Sequence, residues 1–197
     1  MKVGRVDFEN RLRGKVSGRD FQLIMLAYRL AKYGHQGQKR DNGERYFEHP
    51  KRNALILMDE LDIFDPEELE AELLHDIEED SFILTFDDIE LIFGKRVKTM
   101  VQTLTKNRML EKSKRDAAYR QQLEEADEKI RRSKLVDRLG NMRDLGNCSI
   151  KKQKDYLEET EEIYLPMAKR TNNYLYREIK KECAKTKRSL KSAGALN

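Results

Sequence analysis

Asp65-Pro66-Glu67-Glu68-Leu69-Glu70-Ala71-Glu72-Leu73-Leu74-His75-Asp76-Ile77-Glu78-Glu79-Asp80 reads as one helix with a chemically unusual end. Asp65 supplies an N-cap, Pro66 a pre-set first helical residue, and Glu67 and Glu68 the acids that suit a first turn. Leu69, Leu73, Leu74 and Ile77 recur at helical spacing and predict the buried side. The helix then runs into His75-Asp76 and Glu79-Asp80. Asp76 and Asp80 are four apart and share a face; His75 and Glu79 share the neighbouring one. Four polar groups therefore crowd the end of a helix whose preceding turns are apolar.

The same signals repeat on both sides. Phe21, Ile24, Met25, Tyr28 and Ala31 follow the amphipathic pattern up to Gly34. A polar, Gly-containing loop, 35–47, leads to a helix with Pro50 as its first residue and Leu55, Met58 and Leu61 on its inner side. Downstream, Thr85 and Asp88 form a capping-box pattern, and Gly94 stops that short helix. Val97, Met100, Val101 and Leu104 make the next stripe. Helices are expected over 112–125 and 127–145. Ser149 caps a long one that Pro166 kinks or breaks, and 172–190 is the last. No strand signal of any length interrupts the series. The expected fold is all-α, a compact multi-helix bundle with short connections.

Composition agrees. The 197 residues suit a single domain over 1–197, with its core at about 20–170 and a basic C-terminal helix and tail over 171–197. Charged residues are 39% and hydrophobic ones 38%, which fits solvated helix faces around one core. Cys148 and Cys183 are too few for a disulfide framework and form no metal-binding pair. The N-terminal stretch lacks the apolar core of a signal peptide, and no apolar run approaches the about 20 residues of a membrane helix. A cytoplasmic protein with no membrane partner is expected. The net charge of +4 is concentrated late: Lys169 to Lys191 holds nine Lys/Arg against two Glu. Without aromatic interleaving or a nucleic-acid motif, that segment reads as a solvated helix face.

The chemistry lies in a few polar groups. His49 precedes Pro50 at the mouth of one helix; His75-Asp76 ends another; Asp137 and Asn141 are four apart in Lys134-Leu135-Val136-Asp137-Arg138-Leu139-Gly140-Asn141-Met142-Arg143. A divalent ion needs ligands converging from several elements. His49, His75, Asp76 and Asp137 would supply two imidazoles and two carboxylates, leaving room for water. Such an ion acidifies water toward a nucleophile. Glu79 and Asp80, one turn on, are candidate proton carriers. Spacing alone favours surface ion pairs and solvated acids over a metal site for these residues.

The motifs in order resolve that choice. Gly34-His35-Gln36-Gly37-Gln38-Lys39-Arg40, then Gly43-Glu44, Tyr46 and His49-Pro50, resembles the opening signature of the guanosine-3′,5′-bispyrophosphate hydrolases. These are the HD-domain half of the RelA/SpoT-homologue alarmone enzymes. Leu73 to Asp80 resembles their central motif. Phe93-Gly94, Thr105-Lys106, the run Lys134 to Arg143, and Glu159-Thr160 with Ile163-Tyr164 and Pro166-Met167-Ala168 follow in the family's order. The resemblance spans about 20–170. It implies an HD-domain bundle, with His49, His75, Asp76 and Asp137 as ligands of one divalent ion, usually manganese. It implies Glu79 and Asp80 as the acidic pair needed for hydrolysis. Arg40 would contact a guanine base, and Tyr46 and Asn141 would line the nucleotide pocket. The expected reaction removes the 3′-pyrophosphate of (p)ppGpp, giving GDP or GTP and pyrophosphate. The resemblance is to small, hydrolase-only members, since the chain stops where longer ones begin a synthetase domain.

Three positions depart from the pattern: Arg45 where Pro is usual before the Tyr, Asn42 where Ser or Thr precedes the Gly, and Gly140 where a larger residue precedes the Asn. None is a ligand position. His35 fits the motif but no metal role, and is expected to be structural. Lys106, Arg115, Lys134 and Arg138 are candidates to meet phosphates. Two other readings make distinct predictions. An HD hydrolase of another nucleotide phosphate, an adenosine alarmone or a phosphorylated dinucleotide, would show itself in a substrate panel. A non-catalytic, antitoxin-like regulator would keep its effect when Asp76 is replaced.

Overall fold

Residues 3–77 and 83–196 are described in the computed structural model; Glu79 and Asp80 lie outside them. The first helix, α1 (Arg5–Leu12), has no counterpart in the sequence expectation. Its signal is only Phe8 and Leu12, four apart, yet both are fully buried. α2 (Gly18–Gly34) is capped by Ser17, whose hydroxyl accepts from the Asp20 amide, and buries Ile24, Met25, Tyr28 and Ala31 as expected.

α3 (Glu48–Leu55) begins two residues before Pro50 and passes into a π-helical turn, Ile56–Glu60. The extra residue in that turn changes the buried set. Ile56, Leu57 and Met58 are buried in succession, while Leu55 and Leu61 are only half-buried.

α4 (Pro66–Leu74) starts on the Asp65 cap and is the centre of the bundle, packed by α2 and α3 on one side. Two later helices, α6 (Lys95–Leu104) and α8 (Glu128–Asp144), close the other. A helix enclosed on all sides must bury its whole circumference. Glu68, Glu70 and Glu72 are therefore buried along with Leu69, Leu73 and Leu74, contrary to a solvated acidic face. Arg132 of α8 meets Glu68 at 2.6 and 2.9 Å. Glu70 is pushed up to about 8, by burial first and then by the charges of Asp20, Glu67 and Asp65.

α5 (Phe86–Phe93) carries the expected capping box of Thr85 and Asp88, and α5 and α6 fold together about Gly94. Its φ of +92° is a conformation glycine alone takes without strain. α7 (Lys112–Glu125) precedes α8, which Asp127 caps. α9 (Ile150–Glu159), capped by Ser149, continues through a second π-helical turn, Thr160–Tyr164, into α10 (Leu165–Thr171). Pro166 lacks an N–H and crowds the carbonyl four residues back; the widened turn just before it carries the chain past without a break. α11 (Asn173–Ser192), capped by Asn172, packs on α8 and α10 and buries Leu175, Ile179 and Leu190. Among the described residues no helix is long and apolar enough to cross a membrane, and the only β pairing is an isolated bridge between Lys39 and Arg45.

Candidate metal centre

α3, α4 and α8 meet where their polar residues face one another. His49 lies in the first turn of α3, His75 caps the C-terminus of α4, and Asp137 lies midway along α8. All three are buried, and their ligand atoms lie within 4.8 Å of one another. His49 Nε2 is 3.0 Å from Asp137 Oδ1, and His75 Nε2 is 3.8 Å from the same oxygen. Asp76 adds a carboxylate, with Oδ2 3.3 Å from His75 Nε2 and 4.0 Å from His49 Nε2. The four expected ligand residues are thus brought to one point.

Outer contacts fix their orientation. His75 Nδ1–H donates to the Glu72 carbonyl at 2.8 Å, which turns Nε2 toward the cluster. That buried Nε2 has no hydrogen-bond partner. Tyr46 Oη donates to Asp76 Oδ2 at 2.9 Å. Asn141 Nδ2 donates to Asp137 Oδ1 at 2.7 Å, and Lys134 Nζ sits 2.8 Å from Asp137 Oδ2. Asn53, one turn after His49, places Nδ2 3.3 Å from His49 Nε2.

The electrostatics favour a cation. His49 is pushed down from its ordinary value, chiefly by burial. Burial acts the same way on His75, but Asp76, Glu72 and Asp137 outweigh it and raise that imidazole to about 10. Asp76 is held well below the usual carboxylate range, since His75 and His49 outweigh its desolvation. Asp137 is held low against its own burial by Lys134, His49 and His75. Glu72, buried behind them, is pushed up to about 8, chiefly by desolvation. A field that holds a proton this firmly on His75 is one that attracts a positive ion. Two imidazoles with Nε2 turned toward one point and two carboxylates beside them form a donor set suited to a divalent transition metal, which would displace the proton His75 carries; the residues fit the group.

The loop 35–47 builds the rim. Arg40 N–H donates to Glu44 O at 2.9 Å and Tyr46 N–H to Gln38 O at 3.0 Å, around a turn where Gly43 has a φ of +77°. This hairpin brings Arg40 beside the cluster: Nη2 donates to Asn141 Oδ1, and the guanidinium lies 5.6 Å from the Tyr46 ring centre. Asp144, bound by Arg52 at 2.6 Å, lies 3.8 Å from Arg40 Nε and steadies it. Arg40, Tyr46 and Asn141 therefore form one wall of the site. His35 stacks on Tyr46 with ring centres 4.5 Å apart and supports that wall, as expected of a structural residue.

Of the candidate phosphate contacts, Lys134 reaches the cluster, 2.8 Å from Asp137 Oδ2. Arg138 is corrected: it points away, clamped between the rings of Tyr156 and Tyr164 at 4.0 and 3.6 Å, and binds Glu159 at 2.8 Å. Lys106 is paired with Asp116 at 3.0 Å, and Arg115 lies 3.9 Å from the same carboxylate. Glu72 and Asn53 were not singled out in the sequence. Each stands three or four residues from a cluster histidine on its own helix, the one signal available.

The HD domain family matches residues 27–172. The bifunctional (p)ppGpp synthase/hydrolase SpoT of Escherichia coli (strain K12) is 38% identical over 153 residues, 75% of this chain and 21% of that protein. The chain thus spans about a fifth of that bacterial relative. The guanosine-3′,5′-bis(diphosphate) 3′-pyrophosphohydrolase MESH1 of Xenopus tropicalis is 37% identical over 132 residues, 66% of this chain and 73% of its own length. Among solved structures, one described as a metazoan ortholog of SpoT that hydrolyses ppGpp superimposes with a TM-score of 0.74 at 25% identity. It covers 88% of this chain and 97% of its own.

Proposed function

The chain belongs to the HD-domain family, and from that we propose that it is a metal-dependent pyrophosphohydrolase that removes the 3′-pyrophosphate of (p)ppGpp, releasing GDP or GTP and pyrophosphate. The observation that carries this reading is the buried convergence of His49, His75 and Asp137 from three helices, with the half-buried Asp76 beside them and Arg40, Tyr46 and Asn141 on one wall. The likeness to MESH1 over most of that protein's length supports the substrate.

His49, His75, Asp76 and Asp137 are assigned to hold one divalent ion, with manganese as the proposed metal. When bound, that ion supplies a Lewis acid that acidifies water near neutral pH and offsets phosphate charge. The chain's own groups do the rest. The Glu72 carbonyl and Tyr46 hydroxyl hold His75 and Asp76 in place, so the donor set is ordered before substrate arrives. Lys134 stays protonated beside Asp137, raised well above its ordinary value despite burial, and places a fixed positive charge at the centre. The Arg40 guanidinium offers a planar face on which a purine stacks, and Asn141 offers donor and acceptor to sugar or phosphate. Glu79 and Asp80 follow Asp76 by three and four residues. They are assigned to take the proton from water and return one to the leaving oxygen.

The test is ppGpp hydrolysis with added Mn²⁺ beside a His75→Ala control, quantifying GDP and pyrophosphate. Metal-dependent release of both, lost in the variant, is expected. An inert wild type with bound metal would sink the alarmone assignment, and a panel of adenosine and dinucleotide phosphates run in parallel would identify the substrate.

A further inference from the structure

On the outer side of the loop 35–47 lies a second cleft, of about 500 Å³, between the C-terminal half of α2 and the Lys39–Arg45 bridge. This is within the size range of small-molecule sites. Its rim carries four cations, Arg29 and Lys32 on α2 and Lys39 and Arg45 on the loop, and its lining includes no carboxylate. Arg45 is neutralised by Glu48 at 2.5 Å. Arg29, Lys32 and Lys39 have no ion-pair partner among the described residues, although the chain as a whole is rich in ion pairs and carries 36 acids against 40 bases.

The wall between these charges is mostly apolar. It includes the 67%-exposed ring of Tyr33 and the buried ring of Phe47. An exposed tyrosine beside an unfilled apolar wall is the contact a flat ring uses. His35 forms part of the lining; its Nδ1–H donates to Gln38 Oε1 at 2.8 Å, and its buried Nε2 has no partner. The cleft is separated from the metal centre by the stacked His35 and Tyr46 rings.

Three unopposed cations around an aromatic-walled cleft ask for a ligand with several negative charges and a flat body. We propose that this cleft is a second, non-catalytic binding site for a phosphorylated ligand of the nucleotide class, its ring against Tyr33 and Phe47 and its phosphates on Arg29, Lys32 and Lys39. The proposal does not depend on which nucleotide the metal centre hydrolyses.

The test is calorimetric titration of the full chain with GDP as the probe. Arg29→Glu/Lys32→Glu is compared with wild type and with His75→Ala, which disables the metal centre alone. A GDP-binding component that persists in His75→Ala and weakens at least tenfold in Arg29→Glu/Lys32→Glu is expected, with kcat and KM for hydrolysis unchanged in the double variant. Lys39→Glu, on the other wall, should weaken the same component. Inorganic phosphate should occupy the cleft at least tenfold more weakly than GDP. Four results would overturn the proposal: no GDP binding, binding that survives the charge reversals, a KM that rises with them, or phosphate binding as tight as GDP.

Discussion

Replacing Gly140 with alanine tests the packing that brings the cluster together. A Cβ at 140 would stand 2.3 Å from Asn53 Oδ1, 3.5 Å from Asn53 Cγ and 3.8 Å from His49 Cε1. Unstrained contacts between heavy atoms sit near 3.5 Å, so α3 and α8 must separate by about 1 Å or the Asn53 amide must leave its place. Asn53 is fully buried. Overpacking of this kind costs about 1–3 kcal/mol, while removing a glycine from a helix interior returns roughly 0.5–1 kcal/mol. The expected net loss is about 1–2 kcal/mol in denaturant unfolding. The effect on turnover should be larger in proportion. Asn53 and His49 stand one turn apart on α3, so the push falls on the 3.0 Å contact between His49 and Asp137, and a displacement near 1 Å can cost on the order of 100-fold in rate. Asn53→Ala removes the obstructing atoms, so Gly140→Ala/Asn53→Ala should recover much of the loss, with a coupling energy of about 1 kcal/mol or more. Full stability and full turnover in Gly140→Ala alone, or no recovery in the double variant, would refute the idea that this glycine sets the helix spacing.

Three further outcomes follow from the same geometry. Glu70 titrates near 8 in the fold against 4.5 unfolded, so the folded state holds the extra proton between those values and stability falls as pH rises through that window. Glu70→Gln should match wild type near pH 4.5 and gain on it by up to about 1.4 kcal/mol per pH unit toward pH 8 in urea unfolding; a pH-independent difference would refute this. Arg138→Met breaks the aromatic clamp and the Glu159 bond. It should cost about 2–4 kcal/mol while leaving KM in place; a raised KM with unchanged stability would instead make Arg138 a phosphate ligand. Mn²⁺ at about a hundred times its dissociation constant should stabilise the wild type by about 2.7 kcal/mol, a Tm rise of about 5–10 °C. The same rise in His75→Ala would place the ion elsewhere.

The helices announce themselves where caps and stripes act locally. Asp65, Thr85 and Ser149, the caps read from the sequence, each accept a backbone N–H in the structure, because a capping side chain needs only its own next turn. The readings that fail depend on tertiary surroundings. α1 is too short and too polar for its two apolar residues to signal anything. The acids of α4 look solvated until α2, α3, α6 and α8 enclose them. The π-helical turn replaces one hydrogen-bond register with another at no compositional cost, so Leu55 and Leu61 pack at the edge of the core, half-buried, while Ile56, Leu57 and Met58 take its interior.

The site shows the same division. His49, His75, Asp76 and Asp137 are recognisable as types and in order, but their convergence depends on features no spacing rule contains. One is the absent side chain at 140, which lets α8 approach α3 closely enough for His49 to meet Asp137. Another is the direction of Arg138, adjacent in sequence to Asp137 yet, about 100° further round the helix, set against the rings of Tyr156 and Tyr164. Asp137 and Arg138 are both charged and both buried, and only their neighbours separate the roles. Asp137 meets two histidines and a lysine, a polar site open to a cation, whereas Arg138 meets two aromatic faces and one carboxylate, a closed structural contact. Burial and charge mark both residues as costly; the chemistry facing each decides that one belongs to the site and the other to the scaffold.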